Sequence, residues 1–198
     1  MDALLLIDTD DASYPSDDAM ETLGDIVTRT RAVGGVLIFA STKEDLADTP
    51  DEELSIFVPS EEDLVLRSNG PDVFECVDDL AAGLHDMAID RIIIAGADDT
   101  AEAPSANATA DALANADTDA DADAPANADT DADADAPADA DAPGAVYASA
   151  MAALVCNFDV IVLSDSTTDP HGELVTWTDA AESAGAMIKK TADTWLRM

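Results

Sequence analysis

Positive charge is what this sequence has least of. Eight lysines and arginines stand against 44 aspartates and glutamates, for a formal net charge of −36. A nucleic-acid binder needs a basic footprint to displace counterions from phosphate, and this balance argues against one. An anionic membrane surface is disfavoured on the same ground. Cysteine is scarce as well: Cys76 and Cys156 offer no metal-ligand spacing and are expected as buried thiols within helices. Two histidines, His85 and His171, cannot build a histidine-rich metal site. With no glycine-rich phosphate loop either, neither a metal nor another cofactor is expected. No apolar run approaches the ~18 residues of a membrane span. The opening residues Met1–Asp8 are too short and too acidic for a signal peptide. The expectation is a soluble, cytoplasmic chain.

High charge with low hydropathy marks disorder, but runs such as ALLLI, GVLIF, RIIIA and VIVL are too apolar for that reading. A halophilic cytoplasm fits better, because at molar salt the Debye length falls to about 3 Å and self-repulsion is screened. The presence of only three lysines, Lys43, Lys189 and Lys190, agrees.

Strand and helix signals alternate along the chain. Ala3–Ile7, Val36–Phe39, Leu64–Leu66, Arg91–Ala95, Val160–Leu163 and Ala186–Ile188 read as short, continuously apolar strands of the kind buried in parallel sheets. Between them, Ser16 is positioned to cap a helix reaching Arg31, with Gly34 at its end. Val73, Val77, Leu80 and Leu84 lie at spacings that share one helical face. A small-residue helix starts at Gly144, another runs from about Glu173 to Gly185, and a terminal helix carries Trp195. The expected fold is a single α/β domain over residues 1–198. It has one doubly wound, Rossmann-like sheet of about six mainly parallel strands, with helices on both faces.

One segment breaks the alternation. Ala101–Pro143 is built almost wholly from Ala, Asp, Thr, Asn and Pro and carries twelve of the acids and no base. Its core is an imperfect repeat beginning at Asp117. Calcium binding of the EF-hand kind needs Gly at position six and a bidentate Glu at twelve, and neither occurs. A solvated, disordered insert is the expectation. Its place is notable, because the turn from a strand's carboxyl end into the next helix is where open α/β sheets bind ligands.

If strand four neighbours strand one, the ends of strands one, three and four converge at the topological switch point. That would gather Asp8, Arg67 and the start of the Gly144 helix. An acid, a cation and a helix N-terminus with free N–H groups make a plausible seat for a carbonyl or carboxylate.

The order of segments resembles the isochorismatase-like (cysteine hydrolase) family. ALLLID at Ala3–Asp8 is similar to the family's opening strand with its catalytic aspartate. TRAVGGVLIFAST resembles the second helix–strand junction, and DLVLR the third strand, which there ends in a catalytic lysine. IDRIIIAG resembles strand four, and AVYASAMAALVCNFDVIVLSDST the segment that in most members begins Cys-Val. HGELVTWTDAAESAGAMIKKTADTW resembles the closing stretch. Together these span nearly the whole chain outside the insert.

The resemblance implies catalytic positions at Asp8, Arg67 and Ala145, the last being where relatives carry the nucleophilic cysteine. An alanine methyl cannot attack a carbonyl, so a covalent route through position 145 is closed. Ser149 and Cys156 lie too far along the helix to substitute. Arg67 keeps a positive charge but does not readily give up a proton. The first reading is therefore a family-like protein that has lost covalent hydrolase activity and acts in binding or assembly, with a small carboxylate or amide as ligand. A second follows from members that cleave the vinyl ether of isochorismate without a thiol: Asp8 would act as general acid and Arg67 would hold a substrate carboxylate. A third is an acidic scaffold whose Ala/Asp arm engages a partner. The resemblance also implies a homo-oligomer. The Asp-x-His zinc ligands of the nicotinamidase branch have no counterpart here.

Overall fold

The computed structural model describes residues 1–14, 17–43, 49–98, 144–169 and 171–196. The expected insert at 101–143 and the Ser16 cap lie outside the described residues.

Six strands form one sheet: β1 (Asp2–Ile7), β2 (Val36–Ser41), β3 (Leu64–Arg67), β4 (Arg91–Ala97), β5 (Asp159–Thr168) and β6 (Met187–Lys189). Their order is β3-β2-β1-β4-β5-β6 and every pairing is parallel. The order reverses between β1 and β4, as in a doubly wound sheet. The central strands are apolar without interruption because both faces are covered. Leu4, Leu6, Phe39, Ile93 and Ile161 pack under α1 (Asp17–Val33), through its Leu23, Ile26 and Val27. On the other face Leu5, Ile7, Ile94 and Val162 meet the remaining helices. These are α2 (Val73–Cys76), α3 (Leu80–Asp86), α4 (Ala145–Val155) and α5 (Thr178–Ala184).

Local chemistry explains the element ends. Asp17 and Asp18 open α1 and Arg31 sits in its last turn, both favourable for the helix dipole. Gly34 follows in the left-handed conformation, φ 69°. In α4 the buried face consists of Ala145, Val146, Ser149, Ala150 and Ala153. Such short side chains let the helix axis lie close to the sheet.

Four expectations are corrected. The helix expected through Val73 and Leu84 is two helices, α2 and α3, joined at Val77–Asp79, where Asp79 turns left-handed at φ 60°. A short polar side chain tolerates that conformation, and the four apolar residues still share one core, so their spacing conceals the joint. The helix expected from Glu173 begins only at Thr178. Leu174 instead bridges Thr168 in antiparallel fashion, and Asp169 Oδ1 accepts the N–H groups of His171 (2.8 Å) and Glu173 (2.9 Å). The terminal helix is reduced to a 3-10 turn at Thr191–Asp193, with Trp195 beyond it and 79% exposed. Arg29 takes the carbonyls of Thr191 and Thr194, and Arg91 that of Trp195, which a helix would have used internally. Cys76, expected to be buried, is exposed, and Cys156 lies partly exposed just past α4.

Candidate functional site

Three strands deliver the residues that matter to one edge of the sheet. Ile7 pairs with Ala40 on one side and Gly96 on the other. Asp8 therefore stands level with Ser41, which pairs with Arg67, and on the other side with Ala97, which pairs with Thr168. Gly96 is required here. Its φ is 136°, and a Cβ would fall 1.9 Å from the Ile7 carbonyl oxygen, so no other residue fits beside the switch point.

Asp8 closes β1 and turns left-handed, φ 48°, while its N–H still donates to Ala40 O at 2.9 Å. Its side chain is fully buried. Thr42 clamps it: the Thr42 N–H donates to Oδ1 at 2.8 Å and the Thr42 hydroxyl to Oδ2 at 2.5 Å. Burial pushes the carboxyl up to about 6, against the opposing pull of the Thr42 hydrogen bonds and the Lys43 charge; Asp10 adds a small upward push. A buried carboxyl in that range can hold or release a proton near neutrality.

Arg67 is in the same row, but one strand intervenes, so its backbone lies about 10 Å from that of Asp8 at ordinary strand spacing. Its guanidinium turns toward the loop after β2. Nη2 donates to Thr49 O at 2.7 Å and to Asp51 Oδ1 at 2.6 Å. That pair is partly exposed.

Ala145 is the first residue of α4 and fully buried. The helix N-terminus was expected to present free N–H groups; those of Gly144, Val146 and Tyr147 are instead taken up within the chain. Asp98, the residue directly after β4, accepts from the N–H of Gly144 (3.3 Å), of Tyr147 (3.0 Å) and of Val146. It also accepts from Trp177 Nε1 at 2.5 Å. Trp177 in turn stands edge-on to Tyr147, with ring centroids 5.1 Å apart. Burial raises the Asp98 carboxyl above its ordinary value despite these donors. A carboxylate of the chain itself thus sits at the positive end of the helix dipole, the natural seat for an external anion.

Ser149 is engaged elsewhere. Its hydroxyl accepts from Val73 N (3.1 Å) and donates to Pro71 O (3.3 Å), tying α4 to the start of α2. Sequence reasoning had not singled out Thr42, Lys43 or Asp98, although each directly follows a strand, or nearly so, at the edge where a switch-point site is sought. Among the described residues no group of three or more His, Cys, Asp or Glu side chains is arranged to hold a metal ion. Nor, among them, is any helix long and apolar enough to cross a membrane.

No protein-family model matches the sequence, and no curated protein sequence matches it. Solved structures do. N-carbamoylsarcosine amidase from Thermoplasma acidophilum is similar at TM-score 0.60 and 17% identity, over 98% of both chains. An isochorismatase family protein from Burkholderia thailandensis follows at TM-score 0.56 and 19% identity, over 97% of this chain and 92% of that one. Nicotinamidase from Staphylococcus aureus gives TM-score 0.52 and 12% identity, over 95% and 98%. Across nearly its whole length, the chain has the α/β fold of the isochorismatase-family hydrolases.

Proposed function

We propose that this chain uses the isochorismatase fold to bind a small carboxylate or amide at the Asp8 edge without covalent hydrolysis. The observation that carries this reading is the Asp98 carboxylate on the first-turn N–H groups of α4. Acyl transfer through a thiol needs a nucleophile and preorganised donors for the oxyanion that develops. Position 145 supplies a methyl group, and Asp98 already holds the N–H groups of Gly144, Val146 and Tyr147 at the start of α4. A second anion about 4 Å from that carboxylate meets a repulsion of roughly 4 kcal/mol at an effective dielectric of 20. That would cancel much of what such donors contribute to catalysis.

The test is turnover by the full chain. Isochorismate, nicotinamide and N-carbamoylsarcosine are each offered, with pyruvate or ammonia as the measured product. No product above the buffer rate is expected. Ala145→Cys alone is expected to stay inert, and Ala145→Cys combined with Asp98→Asn to gain a burst of acyl-enzyme from an activated ester. Hydrolysis by the unaltered chain, or by Ala145→Cys alone, would overturn the reading.

A second reading has one observation in its favour, the buried Asp8 carboxyl lifted to about 6. A group so poised suits proton donation to a vinyl ether, which requires no thiol. Pyruvate release from isochorismate that falls as pH rises through 6, and is lost in Asp8→Asn, would establish it.

A further inference from the structure

Both oxygens of the buried Asp8 carboxyl are held by one residue, Thr42, which directly follows β2. In a parallel ladder the residue level with Ser41 gives its N–H to the carbonyl of Ala40 and takes the N–H of Thr42 on its own carbonyl. Asp8 keeps the first bond, to Ala40 O at 2.9 Å. It turns left-handed at that point, φ 48°, and the Thr42 N–H donates instead to its side chain, at Oδ1 and 2.8 Å. The carboxyl is therefore a rung of the sheet, with one oxygen fixed by backbone.

The other oxygen, Oδ2, meets the Thr42 hydroxyl at 2.5 Å, and Thr42 is itself buried. A hydroxyl carries one donor and two acceptor positions and rotates to suit its partner. An ionised Asp8 accepts from it. A protonated Asp8 donates to it across the same contact, while Oδ1 goes on accepting the Thr42 N–H. A bond to the charged form favours that form, so the hydroxyl opposes the burial that keeps the proton on. Among neighbouring charges, Lys43 favours ionisation and Asp10, past the end of β1, opposes it. From β4, Gly96 and Ala97 stand level with this stretch and do not titrate. Asp98 beyond them spends its carboxylate on the first turn of α4 and on Trp177.

We propose that Thr42 is the positioning residue of this edge: its hydroxyl sets how readily Asp8 takes up a proton and reverses direction as the proton arrives. The site then changes charge while the ends of β1 and β2 stay joined. This goes beyond the binding reading above and requires no ligand.

The experiment titrates the Asp8 carboxyl carbon by NMR in the full chain with isotope-labelled aspartate, at one fixed molar KCl concentration that damps the general field. Its signal is the one missing from Asp8→Asn. The midpoint of the unaltered chain is expected at about 6. Thr42→Val removes the hydroxyl but keeps the shape and the N–H. It is expected to hold the proton about ten- to hundredfold more tightly, the worth of one hydrogen bond to a charged group. Thr42→Ala removes the same hydroxyl and should move the midpoint in the same direction, so that misfolding of one variant does not decide the case. Thr42→Ser, which restores the hydroxyl, is expected to stay within about threefold of the unaltered chain. Lys43→Met is expected to move the midpoint less than Thr42→Val, because salt screens a charge more than a buried contact. An unmoved midpoint in both Thr42→Val and Thr42→Ala, an equal rise in Thr42→Ser, or a larger rise in Lys43→Met overturns the proposal. Hydrolysis of a substrate would count only against the non-covalent reading, since the midpoint is read with no substrate present.

Discussion

Replacing Asp8 with asparagine isolates the cost of placing a carboxylate beneath the sheet edge. In the folded chain the group titrates near 6 instead of its ordinary 3.8. Between those values the folded state holds a proton that the unfolded state has released, so stability falls as pH rises. The contribution is intact below 3.8 and is lost once pH passes 6. At 1.36 kcal/mol per pKa unit, the whole span is about 3 kcal/mol. Precipitation near the isoelectric point, about 4.1, restricts a practical window to roughly pH 5–8, and within it the linkage relation leaves about 1.4 kcal/mol. The asparagine side chain keeps the shape and an acceptor for Thr42 N–H but does not titrate, so the other acids cancel in the comparison. Urea unfolding of both chains at the two pH values measures this; urea avoids the screening a guanidinium salt would bring. The unaltered chain should lose about 1.4 kcal/mol more than Asp8→Asn between about pH 5 and pH 8. Parallel pH profiles would refute the argument that burial dominates this carboxyl.

Three further outcomes follow from other features. The net charge of −36 should make folding salt-dependent: the thermal midpoint is expected to climb between about 0.1 M and 1 M KCl, as the screening length falls from about 10 Å to about 3 Å, and an unchanged melting curve refutes this. Gly96→Ala drives a Cβ into the Ile7 carbonyl at a φ of 136°; a loss of roughly 3–5 kcal/mol is expected in urea unfolding, and a loss under about 1 kcal/mol would show that β1 and β4 can separate. Replacing Ala101–Pro143 by a short Gly/Ser link should leave the circular dichroism and cooperative unfolding intact, because Asp98 and Gly144 are already joined by a hydrogen bond. Loss of cooperative unfolding would refute that.

How much could be read beforehand depended on how local the cause was. β1, β2, β4 and β5 were legible because a strand buried on both faces is apolar throughout, and ALLLI or RIIIA admits few other readings. The placement of Asp8 at the end of β1 followed from the same run, whereas the pairing of β1 with β4 entered only as a condition and is supplied by the sheet order. The break between α2 and α3 was not legible, since Val73, Val77, Leu80 and Leu84 keep one face whether or not Asp79 turns left-handed. The extended Glu173–Val175 stretch depends on Asp169 and on pairing with Thr168, contacts that hydrophobic spacing does not record. Asp98 stands after β4 much as Asp8 stands after β1, a parallel that was available in the sequence. What it bonds to required knowing that Gly144, 46 residues on, returns to the same point. Thr42 was passed over because the switch-point argument followed strands one, three and four and skipped the end of strand two.

Arg91 grips the Asp2 side chain and the Trp195 carbonyl at the margin where the strands begin, whereas Asp8 stands where they finish. A tag, a fused reporter or a bead coupled beside residue 1 or residue 196 would therefore hang behind the sheet. Immobilised in that way, the molecule would turn its opposite rim away from the support, a favourable orientation for surface-based screening of small acids.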